Sequence, residues 1–244
     1  MEFKEWLIAQ EGSIFANRGV ETTPNTRVIA TTNTDFEKPN VLYITGMNSS
    51  GSVARNLAMQ GYPVKTISTE NNWKATIIGR TKQWPGFKQV IGGMADREGD
   101  AHISNQIQKV HSEIPLNWHP EIVVGGSQGG AVAMACVPLF PNAKFILISP
   151  AWKIFNVKPH LPPGSVIIHG TKDMQVPITD SEELAQATGA KLVTTNNGHR
   201  IDTGFVLSVI GQLAKAIKPP KEPEANDSPK LFNYNRLQPP ISGS

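Results

Sequence analysis

The segment EIVVGGSQGG, residues 121–130, decides the fold of this chain. Its apolar part, residues 122–124, is typical of a β-strand, and the almost wholly apolar run at residues 131–137 is typical of a buried helix. Between them, Ser127 follows two glycines and is separated from two more by Gln128. The pattern predicts a strand, a sharp turn with a serine at its tip, and a helix that begins near Gln128.

The turn matches the spacing G-x-S-x-G, in which a serine sits on a strained strand-to-helix turn. We expect Gly125 and Gly129 to be required because side chains there would collide with the turn. The first N–H groups of the helix have no partner within it, and they suit an anion that develops beside the serine. The spacing alone is a weak signal, since a Gly-rich turn with a solvated serine shows the same letters.

The composition is that of an ordinary soluble globular protein. The chain has 244 residues, 39% of them hydrophobic and 18% charged, which is enough for one large core. Lys and Arg are scattered and the net charge is only +3, so we expect no nucleic-acid partner. The N-terminal segment mixes charged and apolar residues as an amphipathic helix does, and no apolar run is long enough for a membrane span. These features lead us to expect a cytoplasmic protein.

Several kinds of chemistry find no support in the sequence. The single cysteine, Cys136, excludes an intrachain disulfide and lies in an apolar run, where we expect a small buried hydrophobic residue. The histidines lack metal-ligand spacing, so we propose no metal site. The glycine cluster lacks the Lys-Ser/Thr pair of a phosphate-binding loop, so we expect no nucleotide. We propose no cofactor.

Predicted strands and helices alternate along the chain, which indicates a mostly parallel sheet with helices on both faces. Asp100 is a candidate N-cap for the helix before the serine turn, and residues 69–99 have no clear pattern. The expected strands are residues 26–32, 40–45, 63–68, 121–125, 144–149, 165–169 and 191–195. We expect one domain over residues 1–218.

Residues 219–244 are rich in Pro, Asn and Ser, which is typical of a tail outside the core. The tail contains a small apolar cluster at Leu231, Phe232 and Tyr234. This cluster rests on the body of the protein, has no role, or docks a partner protein, and the sequence does not choose among the three.

Four segments that carry candidate catalytic residues or backbone donors follow directly after predicted strands. They are residues 46–48, Ser127, Asp173 in HGTKDMQVP and His199 in TTNNGHRI. Ligands of parallel α/β sheets bind beyond the carboxyl ends of the strands, so these segments are expected at one edge of the sheet. A serine, an acid and a histidine in this chain order form the pattern of a hydrolytic serine site.

These segments resemble the α/β-hydrolase superfamily. GGSQGGAVAM is similar to the nucleophile elbow of its carboxylesterase and acyl-thioesterase branch, HGTKDMQVP to the acid segment and NGHRI to the histidine segment. The resemblance covers roughly residues 40–217 and implies an α/β-hydrolase fold acting on a small ester or thioester. It implies Ser127 as nucleophile, His199 as general base, Asp173 as the acid that orients it, and the backbone N–H groups of Gln128 and Met47 as an oxyanion hole.

The chain departs from the family pattern at two places. Many members carry His-Gly before the first oxyanion residue, where this chain has Thr45-Gly46, but the change leaves the backbone donor of Met47 in place. Residues 150–164 are too few for the lid domain often inserted between the corresponding strands. We therefore expect no separate lid domain and an open site, unless residues 69–99 cover it.

Other residues compete for these roles. Asp202 lies three residues after His199 and is a rival acid, although we expect it to cap the last helix. His169, before Gly170, is a rival base that we interpret as structural. Four aromatic residues either line an acyl pocket or belong to the core and rim: Trp73, Trp84, Trp152 and Phe155.

The sequence thus predicts a serine hydrolase that cleaves a carboxylic ester or thioester through an acyl-enzyme on Ser127. A catalytically silent hydrolase fold used for binding is the alternative from another functional class. A cofactor-free haloperoxidase or similar perhydrolase would use the same three side chains. Because a neutral histidine must accept the proton, turnover is expected to fall at acid pH.

Overall fold

A computed structural model describes residues 37–217 except 48, 50 and 85, with the backbone alone at residues 73 and 88. The strand predicted at residues 26–32, the amphipathic N-terminal segment and the Pro-rich tail lie outside the described residues. The side chain of Trp73 does too.

The described residues contain a six-stranded sheet in which every neighbouring pair is parallel, in the order β2-β1-β3-β4-β5-β6. This agrees with the mostly parallel sheet predicted from the alternation of strands and helices. The strands are β1 (Val41–Thr45), β2 (Val64–Ser68), β3 (Ile122–Gly126), β4 (Lys144–Ile148), β5 (Val166–Gly170) and β6 (Lys191–Thr195).

Helices cover both faces of the sheet. The helices are α1 (Ser52–Met59), α2 (Trp73–Thr81), α3 (Phe87–Glu113), α4 (Gln128–Ala135), α5 (Ile178–Thr188) and α6 (Thr203–Ile217). Buried residues of α1 and α6 form one apolar cluster with the sheet, and buried residues of α2, α3, α4 and α5 form the other. The two clusters make up a core divided by the sheet.

Strand β1 shows why the central strands are almost wholly apolar. Val41 and Tyr43 belong to the cluster on one face, while Leu42 and Ile44 belong to the cluster on the other. Successive side chains of a strand point to opposite faces, so a strand covered on both faces buries all of them. This arrangement turns the carboxyl ends of all six strands toward one edge.

Helix α3 has Gly86 as its N-cap and so begins fourteen residues earlier than the sequence indicates. Asp100 was expected to cap it, but Asp100 lies exposed in the middle of the helix, where its Oδ1 accepts a hydrogen bond from Asn156 Nδ2 at 3.1 Å. The glycines in its first half lower the local helix propensity and interrupt the helical spacing of the apolar residues. One of them has a packing reason, since a Cβ atom at Gly99 would lie 2.9 Å from the carbonyl oxygen of Phe155.

Two glycines of α3 should respond oppositely to alanine. Gly93→Ala should raise the free energy of unfolding by about 0.5–1 kcal/mol, because alanine favours a helix and no atom lies within 4 Å of the added methyl group. Gly99→Ala gains the same propensity but should lower the stability, because its Cβ would press on the Phe155 backbone. Urea unfolding of both variants tests this, and shifts of the same sign would contradict it.

The segment between β4 and β5 is part of the core rather than a separate lid domain. Trp152, Ile154 and Phe155 within it are each buried. Helix α2 lies directly on this segment, since a Cβ atom at Gly79 would be 3.0 Å from the backbone carbon of Ile154.

No helix in the described part of the chain is long and apolar enough to cross a bilayer.

Candidate functional site

Ser127 stands on a strained turn between β3 and α4. Its φ of 53° and ψ of −119° are unusual for a residue with a side chain. The turn is fixed from both sides, because the Ser127 N–H donates to the Ile148 carbonyl at 2.8 Å and the Ser127 carbonyl accepts from the Ala151 N–H at 3.1 Å. The serine therefore projects at the carboxyl edge of the sheet.

The glycines on either side are required by packing, as the sequence predicted. A Cβ atom at Gly125 would lie 2.7 Å from the Cβ of Ala133. A Cβ atom at Gly129 would lie 2.5 Å from the carbonyl oxygen of Thr45. Both distances are well inside van der Waals contact, so these positions exclude any other residue unless the backbone moves.

Ser127, His199 and Asp173 are joined by hydrogen bonds. His199 Nε2 lies 2.9 Å from Ser127 Oγ, and His199 Nδ1 lies 2.7 Å from Asp173 Oδ2. Ser127 is half-buried, the His199 side chain is 16% exposed and that of Asp173 is 0% exposed. Solvent therefore reaches the serine and imidazole, while the carboxylate is enclosed behind them. The structure brings the three residues together, and their catalytic roles stay a prediction.

The Asp173 carboxylate is held by more than His199. Its Oδ1 accepts the N–H groups of Gln175 at 2.8 Å and Val176 at 3.0 Å. Burial alone would raise the pKa of Asp173, but the hydrogen bonds from His169, His199 and these two N–H groups together hold the pKa well below its usual range. The carboxylate is thus ionised and fixed in orientation at neutral pH.

His169 has the structural position expected from the sequence, and its contacts show what it supports. Its Nε2 lies 3.0 Å from the Val176 carbonyl and 3.3 Å from Asp173 Oδ2, while its Nδ1 lies 2.6 Å from Ser181 Oγ. Because the carbonyl can only accept, Nε2 carries the proton, and it supports the same Asp173 oxygen that His199 contacts. The four-residue spacing of His and Asp in HGTKD was the available signal for this contact.

Replacing Asp173 with Asn should change how stability depends on pH. The folded-state pKa of Asp173 is lower than its ordinary value of 3.8, so the ionised carboxylate stabilises the fold above that pH. As the pH falls below that value, the unfolded chain binds a proton that the folded chain does not, and this stabilisation is lost. The difference in unfolding free energy between wild type and Asp173→Asn should therefore shrink under acid conditions. Urea unfolding at several pH values measures it, and a constant difference would contradict the expectation.

The two predicted oxyanion donors lie beside the serine. A Cβ atom at Gly46 would be 3.2 Å from the Cβ of Ser127, so the loop that carries Met47 passes directly against the elbow. Met47 is half-buried there. Gln128 is the first residue of α4, and the first N–H groups of a helix have no acceptor within it. Both backbone groups stay the predicted candidates for the oxyanion hole.

The rival acid and the described aromatic candidates lie outside the hydrogen-bonded group of Ser127, His199 and Asp173. Asp202 Oδ1 accepts the Phe205 N–H at 2.9 Å and caps α6, as the sequence indicated. Phe155 belongs to the core, and so does Trp152, whose Nε1 donates to the Asp180 carbonyl at 3.0 Å. Trp84 is 63% exposed. Trp84 and Trp152 both line a cavity of about 1030 Å³ between α3 and α5, and neither Ser127 nor His199 is among its lining residues.

Cys136 is buried, as expected, and burial raises the pKa of its thiol to about 12, so the thiol is inert at neutral pH. Among the described residues, no three His, Cys, Asp or Glu side chains are arranged to hold a metal ion.

The sequence matches no family model and no curated protein. Solved structures do resemble it. A protein from Pectobacterium atrosepticum described as a YdeN-like hydrolase is 15% identical, with a TM-score of 0.51, and the match covers 74% of this chain and 94% of that one. The mouse α/β-hydrolase domain-containing protein 10 is 15% identical over 75% of this chain and 92% of that one, with a TM-score of 0.49.

Est1E from Butyrivibrio proteoclasticus is also 15% identical, over 75% of this chain and 89% of its own, with a TM-score of 0.46. At such low identity a structural likeness shows a shared fold and no shared activity. Together with the sheet order, the likeness to the Pectobacterium protein shows that this chain has the α/β-hydrolase fold, as the sequence predicted.

Proposed function

We propose that this protein is a serine hydrolase that cleaves a carboxylic ester or thioester through an acyl-enzyme on Ser127. One observation carries the proposal: the unbroken hydrogen-bond chain from Ser127 Oγ through His199 to Asp173 at the carboxyl edge of the sheet. A serine hydroxyl is a poor nucleophile until a base removes its proton during attack, and His199 would be that base.

The first step would form the Oγ–carbon bond. As Ser127 Oγ attacks the carbonyl carbon of the substrate, its proton passes to His199 Nε2, and the electron pair of the carbonyl bond moves to its oxygen. Asp173 accepts the hydrogen bond from the Nδ1–H group of His199 and stabilises the imidazolium that results. Its low pKa keeps the carboxylate charged for this purpose.

The oxygen that gains charge would be bound by the N–H groups of Gln128 and Met47. A fixed backbone donor of this kind stabilises the tetrahedral intermediate by about 3 kcal/mol, because it is aimed before the charge develops. The intermediate then collapses as His199 returns the proton to the leaving oxygen or sulfur. Water, activated by the same imidazole, releases the acid from the acyl-enzyme.

Two measurements test this function. Purified protein is assayed against p-nitrophenyl esters of increasing acyl length, with acyl-CoA thioesters in parallel, and is then treated with a fluorophosphonate probe followed by peptide mapping. We expect turnover of at least one ester or thioester and covalent labelling of Ser127. A folded protein that neither turns over these substrates nor labels would overturn the proposal and favour a binding protein with a silent hydrolase fold.

A further inference from the structure

A buried polar network lies behind the elbow, and the proposed reaction makes no direct use of it. The side chain of Gln128 is buried, and its Nε2 lies 2.7 Å from the Glu70 carbonyl oxygen and 2.7 Å from His102 Nε2. His102 lies on α3, is 5% exposed and packs its ring against Phe155 at 5.3 Å. Gln106, one turn further along α3, accepts the Glu70 N–H at 3.1 Å.

The contacts fix the protons of this network. The Glu70 carbonyl can only accept, so the amide nitrogen of Gln128, not its oxygen, must face it. The same nitrogen is then the donor toward His102, and His102 Nε2 must accept. His102 is therefore neutral, with its proton on Nδ1. Burial lowers the pKa of His102, against the opposing effect of the Glu70 carboxylate, and so favours this neutral ring.

The orientation of the Gln128 amide depends on these two nitrogen contacts. Its Oε1 is buried and has no hydrogen-bond partner among the described residues. Removing the acceptor at His102 would leave a buried N–H without a partner and the amide with a single anchor at Glu70.

The same network also reaches the second proposed oxyanion donor. Thr69 Oγ1 donates to the Thr45 carbonyl at 2.8 Å. Thr45 is the last residue of β1 and comes just before the loop that carries Met47. The segment at residues 69–70 is thus held by Gln128 and Gln106 on one side and holds the end of β1 on the other.

We propose that His102 is a positioning residue: through the side chain of Gln128 and residues 69–70, it holds the backbone N–H groups of Gln128 and Met47 where an oxyanion would form. This inference rests on the proposed function and adds to it a residue on a different helix. Oxyanion donors act by being fixed before charge develops, so a small displacement weakens binding of the transition state more than binding of the substrate.

The main test is His102→Leu, assayed with the best p-nitrophenyl ester. We expect kcat to fall about tenfold with KM nearly unchanged, which is less than the 10²–10³-fold cost of removing a donor outright. Affinity for a boronic acid that mimics the tetrahedral intermediate should fall by the same factor as kcat. His102→Gln keeps an acceptor oxygen and should recover part of the loss.

Two further variants separate positioning from general destabilisation. Ile103→Ala removes a buried side chain at the next position of α3, where the structure shows only apolar packing, so it should lower stability and leave kcat unchanged. Thr69 is half-buried, and Thr69→Val removes the hydroxyl that donates to the Thr45 carbonyl. This variant should lower kcat severalfold with KM unchanged. The Thr69 variant also tests the inference if His102→Leu does not fold.

A spectroscopic measurement is independent of activity. In ¹⁵N-histidine-labelled wild type, the His102 signals, assigned by their loss in His102→Gln, should show the tautomer protonated at Nδ1. An Nε2-protonated ring, an unchanged kcat in His102→Leu or Thr69→Val, or an equal loss of kcat in Ile103→Ala would each overturn the inference. If the wild type turns over ester and is labelled at Ser127 but the variants keep its kcat, this inference alone is wrong. If the wild type shows neither turnover nor labelling, the proposed function is wrong as well.

Discussion

Ser127→Ala should lower kcat for the best ester substrate by on the order of 10⁴–10⁶-fold. The substitution removes the one oxygen that lies 2.9 Å from His199 Nε2, and with it the atom that would form the acyl bond. The methyl group of alanine occupies the position of the serine Cβ, so the strained turn and the fold should persist. Initial rates with active-site titration by the fluorophosphonate probe measure the effect.

Ser49 provides a matched control at the same edge of the sheet. It is exposed, and its Oγ accepts the Gly51 N–H at 3.4 Å within a turn. Ser49→Ala should therefore retain most of the turnover. If Ser127→Ala kept activity near that of wild type, or if Ser49→Ala lost as much as Ser127→Ala, the nucleophile would have to lie elsewhere.

Gly125→Ala should lower the free energy of unfolding by about 3 kcal/mol or more. Its Cβ would lie 2.7 Å from the Ala133 Cβ and 2.8 Å from the backbone carbon of Gly129, so both α4 and the end of β3 would have to move. This position is in the centre of the core, where packing is dense and the displacement cannot be confined to one side chain. Chemical denaturation followed by circular dichroism gives the change.

The adjacent glycine is the control for this substitution. A Cβ atom at Gly126 would be 4.0 Å from its nearest neighbours, both in Ile148. Gly126→Ala therefore makes the same chemical change in the same strand without a collision, and should alter the stability by less than about 1 kcal/mol. Equal destabilisation by the two substitutions would show that the collision at residue 125 is not the cause.

Much of the fold could be predicted because its signals are local. The strand before Ser127 is apolar throughout and the strand before Asp173 is apolar up to His169, and Gly125 and Gly129 meet a steric need that is visible in the motif itself. The carboxyl ends of parallel strands share an edge, so the positions of Ser127, Asp173 and His199 after their strands were enough to predict that they lie together. The structure adds the hydrogen bonds that join them.

Features that depend on how distant helices pack were not predictable. The start of α3 was missed because its glycines reduce the helical signal, while the reason for Gly99 lies in contact with Phe155, far along the chain. The contact between His102 and Gln128 depends on how α3 lies against α4, and no periodic pattern marks it. The support of Asp173 by His169 differs from these, because the four-residue spacing in HGTKD was a local signal for it.

The strand order also has a consequence for how the chain is made. Val41 of β1 pairs with Val64 on one side and with Ile122 on the other, so the second partner is synthesised about 80 residues after the first residue of the strand. Because translation adds roughly 5–20 residues per second, one edge of this apolar strand stays unpaired for several seconds. Newly made chains should therefore aggregate most readily before β3 emerges from the ribosome, and a chaperone that shields the β1–β2 pair would act in that interval.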